Sequence, residues 1–225
     1  AYESKAWLAS YAEWTDHHLD YGEQTLLDIY NENLAKHGTW PATWFFGRQQ
    51  SYHELDVQVR AAAAGLKAFG IRPGDRVAMA LPNCPQHIAA FYAVLKLGAI
   101  VVEHNPLYTA HELEGLFQDH AARVAIVWDK MTATFEQLRE TTPLETIISV
   151  NMTEAMPRSK QLLLRIPIPP ITEQREQLTA PAPNTVPWST LTGTAIGGDG
   201  TKLADAEIHP EDTAIILYTS GLSLI

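Results

Sequence analysis

The sequence is short of cysteine, of basic residues and of long apolar runs, and each shortage excludes something. The one cysteine, Cys84, rules out an internal disulfide and suits a reducing compartment. Lysine and arginine number 16 against 26 aspartates and glutamates. The formal charge of −10 argues against nucleic acid as a partner, because that needs a basic surface. Proline, histidine and charged residues break every apolar stretch before it reaches the length of a membrane span. No signal peptide is visible, so a cytoplasmic location is expected. What is present is a chain of 225 residues that is 46% hydrophobic. That is enough to bury a sizeable core, as one large domain or two small ones.

Along the chain, residues 1–50 read as a lead-in helix and a hairpin. Thr25 to His37 fits a short helix stopped by Gly38. "ATWFFGRQQSY" (Ala42 to Tyr52) reads as two strands about a Gly47–Arg48 turn. Residues 51–150 read as an α/β core. Ser51 and Glu54 form a capping box, and the helix they open carries Leu55, Val59, Ala62, Leu66 and Phe69 on one face before Gly70. "DRVAMAL" (Asp75 to Leu81) is a strand. Asn83 and Pro85 then open a nearly all-apolar helix, which must be buried on most sides. "AIVVEH" (Ala99 to His104) is the next strand. Thr109 and Glu112 cap a helix with a Leu113, Leu116 and Phe117 stripe. "RVAIVW", a helix over Thr132 to Glu140, and "TIISV" complete the alternation. Apolar strands alternating with helices predict an α/β fold with a parallel sheet covered on both faces.

Residues 151–210 lose this periodicity and are dense in Pro, Thr and Gly. They read as a loop-rich excursion. Within it "PRSKQLLLRIPIPP" (Pro157 to Pro170) is basic and apolar together. Two readings stand open: a surface segment packed on the fold, or a patch for weak peripheral membrane contact or an apolar substrate's entrance. Residues 211–225 read as a strand, "AIILY", and the start of a phosphate loop at Thr219, Ser220 and Gly221. Hydroxyls and backbone N–H groups at a strand's carboxyl end can hold phosphate oxygens, and glycine allows close approach. On three residues alone an ordinary strand-end turn is the stronger reading, and context must decide.

Other chemistries fail on inspection. Gly193 and Gly198 have the Walker-A spacing, but Asp199 stands where a lysine is required. No GxGxxG follows a strand, and no GxSxG is present. His17, His18, His104, His111 and His120 lack metal-ligand spacing, so no metal is assigned to them; they read as solvated or capping residues. Cys84 sits at a helix start, which can lower a thiol pKa, but reads as a small buried or capping residue. Trp44 and Trp128 fall in strand patterns and read as core.

The order of these elements, more than any one motif, carries a resemblance. "GDRVAMALPNCPQHIAAFYAVLKLGAIVVEHNPLYT" followed later by "DTAIILYTSG" resembles the amino-terminal portion of the adenylate-forming (AMP-binding) enzymes. "VVEHNPLYT" with the Pro-rich excursion is similar to bacterial long-chain fatty-acid–CoA ligases. The resemblance covers nearly the whole chain. It implies the fold just described and, for a full-length enzyme, ATP, Mg2+ and CoA acting on a fatty acid. The family loop runs S-G-[ST]-T-G-x-P-K-G; here Tyr218, Thr219, Ser220 and Gly221 match, and Leu222 and Leu224 replace a hydroxyl residue and a glycine. No catalytic residue is assigned, and the resemblance implies a fragment that is inactive alone. A non-catalytic binding or scaffolding fragment, or a homodimer, stays open.

Overall fold

A computed structural model describes residues 5–18 and 22–218. Eight strands, eight α-helices and three short 3-10 helices are described within that range. Helix α1 (Leu26–His37) begins at a full capping box, in which the Thr25 side chain accepts from the Asp28 N–H and the Asp28 carboxylate accepts from Thr25 N–H. Strands β1 (Pro41–Phe45) and β2 (Arg48–Ser51) form the hairpin. Its turn is Phe46–Gly47, one residue before the expected Gly47–Arg48. Both turn residues have positive φ (50° and 95°), as a two-residue hairpin loop that matches the strand twist requires. Helix α2 (Tyr52–Ala68) starts at the predicted Ser51–Glu54 box and buries Leu55, Val59, Ala62 and Leu66, with Phe69 half-buried beyond its end.

Then come β3 (Arg76–Ala80), α3 (Pro85–Lys96), β4 (Ile100–Glu103), α4 (Ala110–His120), β5 (Val124–Trp128), α5 (Thr132–Leu138) and β6 (Thr146–Val150). The strands make one six-stranded sheet in the order β7–β6–β5–β3–β4–β8, every pairing parallel. Here β7 is Val186–Pro187 and β8 is Ile215–Leu217. The side-chain period of two splits each strand between two cores. Val77, Met79, Val124, Ile126, Ile148 and Val150 join the core beneath α1, α2 and α3. Ala78, Ala80, Ala125, Val127 and Ile147 join the other, with Leu113, Phe117, Phe135 and Leu138 of α4 and α5. Burial on both faces is why these strands are continuous apolar runs.

The excursion is not the loop its composition suggests. Residues 151–210 hold α6 (Arg158–Leu163), α7 (Pro169–Leu178), the edge strand β7 and α8 (Trp188–Leu191). Short, proline-started helices give a weak periodic signal, and their stability comes from docking. Trp188 and Leu191 are buried against α2. Lys96, itself buried, pairs with Asp205, and the Ala206 N–H donates to the Lys96 carbonyl at 3.0 Å. These contacts tie the far end of the excursion to α3.

This docking explains the run Ala61–Ala62–Ala63–Ala64–Gly65, which is buried throughout. A Cβ on Gly65 would sit 2.4 Å from the Leu191 carbonyl oxygen and 2.8 Å from its Cδ1. Helix propensity alone would credit Gly65→Ala with about 1 kcal/mol. The clash is with backbone, which cannot swing aside, so the substitution is expected to destabilise the protein by about 1–3 kcal/mol. A urea unfolding midpoint for Gly65→Ala above that of the parent would contradict this.

Candidate functional site

The carboxyl ends of β3, β4 and β8 lie side by side, where ligands bind in open parallel sheets. The register sets Glu103 opposite Leu217, so the residues that follow, His104 and Tyr218, emerge together. Their rings lie nearly parallel, 9° apart with centroids 6.0 Å from each other. The Tyr218 hydroxyl donates to Asp119 Oδ2 at 2.6 Å. Burial, followed by this carboxylate, moves the phenol up to about 12. Tyr218 is thereby fixed at the edge of the sheet. Thr219, Ser220 and Gly221, the residues assigned to phosphate, lie outside the described residues, as do Leu222 and Leu224.

Beneath Tyr218 lies a feature the sequence reading missed. His104 and His120, expected to be solvated or capping, are 5% and 4% exposed. Their Nε2 atoms are 3.1 Å apart. The Ala122 N–H donates to His120 Nδ1 at 3.0 Å, so that nitrogen carries no proton. In the neutral pair His120 Nε2–H donates to His104 Nε2, and the His104 proton sits on Nδ1. That Nδ1 is buried and has no hydrogen-bond partner among the described residues. Burial and the neighbouring His120 push His104 down to about 3. Burial, opposed by Asp119 and aided by Arg76, pushes His120 to about 4. A general base works best with a pKa near the operating pH. These imidazoles are far below it, so they buttress the Phe117 and Tyr218 rings and do not move protons at neutral pH. The missed signal was sequence position: His104 directly follows a core strand and His120 ends a core helix.

On the other side of β4, Glu103 accepts from His87 of α3 at 2.8 Å. Burial lowers the His87 pKa, but the hydrogen bond and charge of Glu103 outweigh it and the net shift is upward. This pair lies at a groove of about 720 Å3 between the hairpin and α3, walled by Trp44, Phe45, Ile88, Phe91 and Tyr92. Trp44, expected in the core, is 71% exposed on the groove's outer wall. Trp128 is half-buried, its Nε1–H donating to the Leu178 carbonyl at 3.0 Å. Cys84, at the N-terminus of α3, makes no side-chain capping bond, and burial raises its thiol to about 11. The helix start therefore does not activate it.

Comparison with known proteins matches the same elements. A family profile described as "AMP-binding enzyme" covers residues 30–221. A protein of Bacillus subtilis (strain 168) named "Long-chain-fatty-acid--CoA ligase" is 31% identical over 218 residues, which is 96% of this chain and 38% of that protein. In fold, the chain is similar to a crystal structure of the anthranilate CoA ligase AuaEII in complex with anthranoyl-AMP, with a TM-score of 0.70 and 22% identity over 88% of this chain and 33% of that one. It is also similar to a long-chain-fatty-acid-CoA ligase from Archaeoglobus fulgidus, with a TM-score of 0.67 and 22% identity over 91% and 36% of the two chains. The chain therefore spans little more than a third of the proteins it matches.

Proposed function

The chain belongs to the AMP-binding enzyme family, and on that premise we propose that it is part of an ATP-dependent long-chain fatty acid–CoA ligase. The observation that carries this reading is the 31% identity to the Bacillus subtilis ligase across 96% of the chain. The reaction has two steps. A fatty carboxylate oxygen attacks the α-phosphorus of ATP, forming acyl-adenylate as pyrophosphate leaves. The CoA thiolate then attacks the acyl carbonyl, forming the thioester as AMP leaves and the thiol proton passes to solvent. Adenylation is needed because a free carboxylate has no adequate leaving group for a thiol to displace.

In this scheme β8 brings Tyr218 to the sheet edge, and Asp119 and His104 hold it there. Thr219 and Ser220 would give hydroxyls, and Gly221 a backbone N–H, to the departing pyrophosphate. Mg2+ would neutralise phosphate charge when bound. Among the described residues no group of three or more His, Cys, Asp or Glu is arranged to hold a metal.

The test is exchange. Residues 30–218 replace the matching portion of the Bacillus subtilis ligase, and fatty-acid-dependent pyrophosphate release and CoA thioester formation are measured. Activity with long-chain fatty acids within about tenfold of the parent, the loss expected from imperfectly matched packing, supports the proposal. A chimera that unfolds like the parent but activates another class of carboxylate, or none, overturns it.

A further inference from the structure

We propose that the tip of the β1–β2 hairpin and residues 158–168 together form a docking surface for an anionic phospholipid bilayer. The surface combines two segments more than a hundred residues apart in sequence. Phe46 sits exposed at the hairpin tip, and Lys160 Nζ of α6 lies 5.7 Å from the centroid of its ring. Leu162, 67% exposed, continues the apolar surface with Leu163, Ile166 and Ile168, all facing solvent. Single exposed apolar residues are ordinary; a cluster of this kind marks a contact site.

The segment is held in this pose and is not merely frayed. Leu164 alone turns inward and is buried. Gln161 Nε2 donates to the Glu154 and Met156 carbonyls at 3.0 and 2.8 Å, and Arg175 reaches the Leu164 carbonyl at 3.4 Å. Leu162 and Leu163 before this anchor, and Ile166 after it, are thereby kept outward.

Charge identifies the occupant. Residues 157–170 contain Arg158, Lys160 and Arg165 and no acidic residue, in a chain whose net charge is −10. Arg48 on the hairpin adds a fourth exposed basic side chain. Interspersed lysine and leucine suit a lipid headgroup boundary, whereas the core of a protein interface is depleted of charge and of lysine in particular. Helix α6 has six residues, and no helix among the described residues is long and apolar enough to cross a membrane. The contact is therefore peripheral, with apolar side chains inserted at the headgroup level and basic ones paired with phosphate. It does not depend on the ligase reading.

The experiment is co-sedimentation of the 225-residue chain with vesicles of phosphatidylglycerol or of phosphatidylcholine. Pelleting is expected with the first, reduced by added salt, and little with the second. Each basic side chain near an anionic surface contributes about fivefold, so Arg158→Ala/Lys160→Ala/Arg165→Ala is expected to lower partitioning by about a hundredfold. Leu162→Asn/Leu163→Asn is expected to weaken it while keeping the salt dependence. All these positions are exposed, and unchanged unfolding midpoints will show that the variants fold. Equal pelleting with both lipids, pelleting with neither, or variants that pellet like the parent would overturn the proposal. So would lipid-independent self-association in sedimentation velocity that Leu162→Asn/Leu163→Asn abolishes, which would make the patch a contact between copies of this chain.

Discussion

Given ATP, Mg2+, CoA and a long-chain fatty acid, the 225-residue chain is expected to form acyl-CoA at less than about one hundredth of the rate of a full-length ligase. Losing a single preorganised contact to developing charge typically costs about 10²–10³ in rate, or about 2.7–4 kcal/mol. In the sequence, the stretch read as a phosphate loop departs from the family pattern directly after Gly221: Leu222 and Leu224 stand where that pattern has a hydroxyl residue and a glycine. The chain also spans only 38% of its Bacillus subtilis relative. The measurement is thioester formation followed by chromatography, with calorimetry using ATP alongside. Turnover within about tenfold of a full-length ligase, abolished by Ser220→Ala, would show that the contacts assumed missing are present. Heat of ATP binding without turnover would place the loss in chemistry and not in nucleotide capture.

Acidification from pH 7 to pH 5 is expected to cost the folded state about 4 kcal/mol through His104 and His120 alone. Both are buried, and their folded pKa values, about 3 and about 4, lie below the ordinary 6.5. A depressed histidine pKa means that protons bind the unfolded chain first. The stabilisation is whole above pH 6.5, declines below it, and is gone once the pH has fallen through the folded pKa. Each pH unit below 6.5 costs about 1.4 kcal/mol per histidine, which gives about 2 kcal/mol each at pH 5. His87, whose pKa is raised, and Asp129, raised to about 6 by burial, act in the opposite sense over the same range. The pair is therefore isolated by difference. Urea unfolding of the parent and of His104→Asn/His120→Gln at pH 7 and pH 5 should show the variant losing about 4 kcal/mol less than the parent. Equal losses would mean that the histidines are protonated in the folded protein or reached by water.

Both expectations depend on a site that was only partly legible in the sequence. Tyr218 was marked by the strand "AIILY" and by the family resemblance. The residues that hold Tyr218 were not. Asp119 looks like any exposed acid near the end of a helix, and the two histidines stand 16 residues apart with no metal-ligand spacing. What joins them is the pairing of β4 with β8, a contact between residues more than a hundred positions apart. The groove beside Glu103 was hidden in the same way, because its walls come from the hairpin and from α3.

The sequence by itself determined what is local. The Ser51–Glu54 and Thr109–Glu112 boxes start helices because each is a closed set of hydrogen bonds within four residues. The strands of the parallel sheet could be read because burial on both faces requires an apolar residue at nearly every position. The tertiary structure decided what depends on partners. It ordered the excursion into helices that are too short to persist without docking. It left Trp44 in solvent although its strand pattern suits a core. It turned Gly65 from a weak point in a helix into the place where Leu191 packs, and it made two ordinary histidines a buried neutral pair. Hydrogen-bonded caps and side-chain periodicity act over a few residues. Burial, steric fit and pKa are set by whatever the rest of the chain brings alongside.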